Sequence, residues 1–168
     1  MIVYAIFIGL FAAAAFFDVA YLRLPNIVSL LLLALFIAAV AVNAVAVNPS
    51  GVDWIGHGLT GAAVFAVGAL CFHLGYWGGG DVKLYAVGAL WMGPDLIAPF
   101  VVAVSLLAGL VALVLLALRR IARWGVLARG GGALPPVLTA NAGVPLGLPL
   151  AAAAILLSVR LPAALWIF

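Results

Sequence analysis

Long apolar runs leave the backbone of this chain few choices. Ile2 to Phe17, Ile27 to Val47 and Leu96 to Leu118 contain no charged side chain. A helix needs about 20 residues to cross a hydrocarbon core about 30 Å thick. At membrane depth each backbone N–H and C=O must find its partner inside the segment, and an α-helix provides this by itself. Composition points the same way: 70% of the 168 residues are hydrophobic and 7% are charged, with a mean hydropathy of +1.44. A soluble domain is about 45–50% apolar. No polar block is long enough to form a separate soluble unit. Residues 1–168 therefore read as one all-α, polytopic membrane domain.

Turn residues divide the chain into about six spans. Ile2 to Phe17 reads as a span rather than a signal peptide, because no Lys or Arg precedes it. Pro25 disfavours helix at Leu24, and Asn26 is placed to cap the second span, Ile27 to Val47. Asn48-Pro49-Ser50-Gly51 breaks that span, and Asp53 is the expected N-cap of a third, Ile55 to about Trp77. A short apolar run, Val82 to Met92, follows the glycines at 78–80. Gly93-Pro94-Asp95 reads as a turn with an N-cap acid before the fifth span, Leu96 to Leu118. The last apolar segment runs from about Gly143 to Val159, interrupted by Pro145 and Pro149.

Charge then sets the orientation. With six spans, Arg23, Lys83, Arg119, Arg120, Arg123 and Arg129 fall on one face, and Arg160 falls on the other. Basic residues in short loops mark the cytoplasmic side, so both termini are expected on the outer, periplasmic side of a bacterial inner membrane. The sequence pI of 9.5 reflects these loops and contacts to lipid, not nucleic acid. Span counting also sorts the four acids. Asp18 follows one span and Asp81 follows three, so both lie at the cytoplasmic interface. Asp53 and Asp95 face outward, where helix capping explains them.

Ionisable groups at membrane depth are expensive and mark function by default. Two carboxyl groups brought together tend to share one proton. Such a pair can take a proton from water and give one to a peptide carbonyl. Lys83 stands two residues beyond Asp81, with tuning of the pair and simple snorkelling as its two readings. His57 and His73 have no partner at ligand spacing and read as packing or interfacial residues. The arginine cluster reads as a topology signal. One cysteine, Cys71, excludes an internal disulfide and a cysteine-based zinc site. No metal or cofactor is expected.

Two motifs carry a resemblance. Gly78-Gly79-Gly80-Asp81 fits the Gly-x-Gly-Asp signature of intramembrane aspartyl proteases. Asp18, seven residues before Pro25, with Leu24-Pro25-Asn26, matches the segment around the first catalytic aspartate of prepilin peptidases. With Gly80-Asp81-Val82-Lys83-Leu84, the joint pattern resembles the type IV prepilin peptidase family over nearly the whole chain. That resemblance implies Asp18 and Asp81 as catalytic residues. It implies supporting or substrate-binding roles for Gly78, Gly80, Lys83, Pro25, Asn26, Gly143 and Pro145. The implied reaction removes the short basic leader of a prepilin just before its hydrophobic helix. Larger members carry a Cys-x-x-Cys zinc insert linked to N-methylation. Here only the Asp18–Asn26 connector occupies that position, so the chain looks like the short form associated with Flp-type pili, without methyltransferase activity. Asn141-Ala142-Gly143-Val144-Pro145 keeps the Gly-Val-Pro core of a family motif but lacks its Pro-Tyr pair.

Three other readings compete. A small proton- or ion-coupled transporter would use paired aspartates as carriers, yet the two halves show no repeat. A structural subunit of a secretion machine leaves both inner acids unexplained. Signal-peptide-peptidase and preflagellin-peptidase relatives share Gly-x-Gly-Asp but not Leu-Pro-Asn.

Overall fold

A computed structural model of the chain describes residues 2–45, 52–123, 136–138 and 143–166. The turn expected at residues 48–51, Arg129 with the glycines after it, and Asn141-Ala142 lie outside the described residues. The described residues are helical, with no strand among them: α1 (Ile2–Tyr21), α2 (Asn26–Val45), α3 (Trp54–His73), α4 (Gly79–Arg123) and α5 (Gly147–Ser158). Short 3-10 turns lie at Pro136–Leu138 and Ala163–Trp166. Helices α1 to α4 are long and apolar enough to cross a membrane, and α5 is a shorter apolar helix. Twenty residues in each of α1, α2 and α3 rise about 30 Å, close to the hydrocarbon thickness.

Helix α4 doubles back on itself. Gly93 has φ 64° and ψ −173° inside the helix, in the left-handed half of the map where a side chain is strained. Pro94 follows and begins the second segment with its φ preset for a helix. Tyr85 and Phe100 would lie about 22 Å apart along a straight helix, yet their rings meet with centroids 5.5 Å apart. Segments 79–92 and 94–123 therefore run antiparallel. Pro94 has no N–H to give to the Leu90 carbonyl four residues back. The buried His57 ring bonds that carbonyl instead, through Nδ1 at 2.8 Å. His57 also fills the space a Cβ on Gly93 would need, with ring atoms 2.5 Å from that point.

The remaining contacts give six segments that alternate in direction. Gly61 and Gly68 of α3 let its backbone approach α4, since a Cβ there would come within 2.9 Å of Leu90 and 2.8 Å of Val82. Lys83 meets Asn26 near the start of α2, and Trp91 donates to the Leu32 carbonyl one and a half turns on, at 3.1 Å. Segment 79–92 and α2 therefore run the same way. At one end of the bundle, Phe7, Phe36, Trp91 and Trp166 form an aromatic cluster, with Trp91 and Trp166 stacked at 5.6 Å. Ser158 lies beside Tyr4 at that end, and Gly147 lies beside Asp18 at the other. Helix α5 thus runs antiparallel to α1.

Several expected boundaries shift. Helix α1 continues through Asp18 to Tyr21, so Asp18 lies in its last turn and not in a connector. It ends where Leu22 turns left-handed, at φ 50°. Helix α3 stops at His73, short of Trp77. The fourth segment begins at Gly79 and takes Asp81 into its first turn. Asp53 caps α3 as expected, accepting from the Gly56 N–H at 2.9 Å. Asp95 does not cap: the break falls at Gly93, and Asp95 is already helical. Residues 143–145 lie outside any helix, and α5 begins at Gly147. Pro149 sits in its first turn, where no intrahelical N–H is needed.

Candidate active site

Asp18 and Asp81 line one cavity of about 330 Å³, together with Leu22, Arg23, Leu24, Gly78 and Gly80. Sixty-two residues of sequence lie between the two acids, and the packing of both α1 and α4 on α2 and α5 closes that gap. The carboxyl groups lie within electrostatic reach of each other. Asp18 is 5% exposed, and Asp81 is half-buried.

Each carboxylate meets a helix N-terminus, where the first N–H groups have no intrahelical partner. Asp81 occupies the first turn of α4 and accepts from the Gly78 backbone N–H, a reach-back of the capping-box kind. Asp18 serves a different helix. Helix α5 follows Leu146, which offers no side-chain cap. Its orphan donors turn to α1 instead: the Gly147 N–H donates to Asp18 Oδ2 at 2.5 Å, and the Leu148 N–H is also directed at that carboxylate. Two partially positive helix ends therefore converge on the cavity. Such an arrangement holds one carboxyl oxygen as a fixed acceptor and stabilises negative charge that develops beside it.

A family model for the type IV leader peptidase family matches residues 5–118, about two thirds of the chain. The chain belongs to the type IV leader peptidase family. No curated protein and no solved structure matches it. The leader-peptidase match contains Asp18, the Leu24–Asn26 segment and Gly78–Lys83, but it ends before α5. The donor that meets Asp18 therefore comes from beyond the matched region.

The other residues singled out from the sequence scatter around the site. Gly78 lies against Asp81, and a Cβ there would come 2.8 Å from its Oδ2. Gly80 packs on Leu24, with the cavity beside it. Pro25 turns the chain, its carbonyl accepting from the Val28 N–H at 3.1 Å. Asn26 is the first residue of α2, and its Oδ1 accepts from Lys83 Nζ at 2.9 Å. The side-chain oxygen expected to cap α2 is thus bonded to a lysine. Two residues along a helix is about 200° of rotation, so Lys83 points away from Asp81. It lines a separate, mostly apolar cavity of about 470 Å³ between α2, α3 and α4. Pro145 is buried, whereas Gly143 is exposed and presents its carbonyl to Arg119 at 3.0 Å.

Two contributors escape a reading of motifs: the Gly147 N–H and the Arg119 guanidinium. A signal for the first exists. An apolar helix that starts after Gly-Val-Pro-Leu, with no Ser, Thr, Asp or Asn as cap, needs an acceptor from elsewhere. No comparable signal marks Arg119, which the sequence places in a basic connector beside Arg120 and the structure places in the last turns of α4.

Proposed function

We propose that the chain is an aspartic endopeptidase that removes the short basic leader of Flp-type prepilins, with Asp18 and Asp81 as its dyad. One observation carries this: two acids far apart in sequence open onto the same cavity, in a chain of the leader peptidase family. Asp18 is met by two backbone donors of α5, Gly147 and Leu148, and Asp81 by one, Gly78. Donors to a carboxylate favour its ionised form, so in this reading Asp18 is the base and Asp81 the acid. A water between them loses a proton to Asp18, and its oxygen attacks the scissile carbonyl carbon. Asp81 gives its proton to the carbonyl oxygen, and a gem-diol forms. On collapse a diol proton returns to Asp81, while the proton on Asp18 passes to the leaving amine. Each transfer of this kind contributes about 10²–10⁴-fold.

The proposed setting is a bacterial inner membrane, with the dyad at the cytoplasmic face, six crossings and both termini outside. Arg23, Lys83, Arg119 and Arg120 stand at the end of the bundle that holds the aspartates, and Arg160 stands at the other. Segment 79–92 rises only about 21 Å, short of a full crossing, and its neighbours cover it. The short connector of residues 22–25 and the single cysteine leave no room for the zinc insert, so N-methylation of the trimmed pilin is not part of this reading.

Purified protein in detergent, mixed with a Flp-type prepilin, tests the dyad by gel shift. Wild type trims the leader, and Asp18→Asn and Asp81→Asn each lose at least about 10²-fold in kcat while eluting as folded protein. Variants that cut like wild type would remove both acids from the mechanism. An inert wild type on several prepilins would turn attention to proton flux.

A further inference from the structure

The stretch that leads to Gly147, the donor to Asp18, is itself bonded to a third element. Arg119, near the end of α4, donates from Nε and Nη2 to the Val137 carbonyl at 3.1 and 2.9 Å. Its Nη2 also donates to the Gly143 carbonyl at 3.0 Å. The guanidinium thus bonds the carbonyls of residues 137 and 143 to α4. Four residues later the chain presents Gly147 to Asp18 at 2.5 Å. A residue that serves only as a cytoplasmic charge needs no such geometry, and lysine would do as well. Arg119 is half-buried and directed at two carbonyls, whereas its neighbour Arg120 is exposed.

We infer that Arg119 is a positioning residue of the dyad: by clamping residues 137 and 143 to α4, it sets the entry of α5 and so the bond from Gly147 to Asp18. Arg119 touches neither aspartate, and its effect passes through the backbone of the α5 entry. The inference rests on the proposed role of Asp18, so its test needs one readout from catalysis and one that is independent of it.

Arg119→Gln removes the charge and the fork. Arg119→Lys keeps the charge and a single donor centre. With the Flp-type prepilin, the Gln variant falls about 10-fold or more in kcat with KM within about twofold, since a small misplacement of a catalytic group costs turnover before binding. The Lys variant lies between Gln and wild type. Independently of cleavage, Leu146→Cys in a Cys71→Ser background reports the α5 entry through its maleimide labelling rate in membranes. Adding Arg119→Gln raises that rate several-fold. Wild-type kcat in Arg119→Lys, a rise in KM at constant kcat, or an unchanged labelling rate each overturns the positioning role. If wild type is inert, or Asp18→Asn is fully active, the dyad proposal fails, and the labelling result still decides whether Arg119 clamps the segment.

Discussion

At the scale of single residues, the site depends on how closely a backbone can approach a carboxylate. Gly147 shows this most directly. A Cβ at that position would lie 2.8 Å from Asp18 Oδ2 and 2.9 Å from its Cβ, so any other residue moves either the helix or the acid. Gly147→Ala is expected to lower kcat about 10²-fold, the effect of displacing a catalytic group by about 1 Å. Leader-cleavage kinetics at saturating prepilin check this, and a kcat within twofold of wild type would show that the close approach is dispensable. Asp18 and Asp81 could be picked out from sequence because an acid in an apolar chain is conspicuous. Gly147 was not singled out, because its contribution is a backbone N–H, and every residue except proline has one.

At the scale of elements, the doubling back of α4 matters most, because it gives segment 79–92, which carries Asp81 in its first turn, a returning neighbour. Gly93, Pro94 and His57 make the reversal together. Pro94 orphans the Leu90 carbonyl, and His57 Nδ1 satisfies it from α3 at 2.8 Å. His57→Phe keeps a ring in the same space but removes the donor. An unsatisfied buried carbonyl costs about 1–3 kcal/mol, so the variant should unfold correspondingly earlier in a denaturant titration in detergent. Unfolding indistinguishable from wild type would mean that water or a neighbour replaces the histidine. The break at Gly93 was legible from Gly-Pro, although Asp95 proved helical and not a cap. The support of that break was not, because His57 is 36 residues upstream and nothing local marks it as the partner of a proline.

At the scale of the whole molecule, alternating segments gather most of the described basic side chains and both inner acids at one end of the bundle, with the aromatic cluster at the other. This polarity makes a prediction about orientation. In a Cys71→Ser background, Arg160→Cys should react with a membrane-impermeant maleimide in intact cells. His73→Cys, at the end of α3 near the dyad, should react only once the inner face is opened. The opposite pattern would invert the bundle and move the dyad to the outer face.

Sequence alone determined the helical class, the two aspartates and their common end, because hydropathy, charge and turn residues act locally and leave their mark in order along the chain. It also carried the family resemblance, since both motifs are short and contiguous. The tertiary structure decided which groups hold those aspartates. Asp18 caps a helix that begins 129 residues later, Lys83 turns to Asn26 and away from Asp81, and Arg119 becomes a clamp as well as a charge. Each of these depends on how close two segments come in space. An orphaned N–H or carbonyl states that a partner is needed, and only the packing of the helices supplies one.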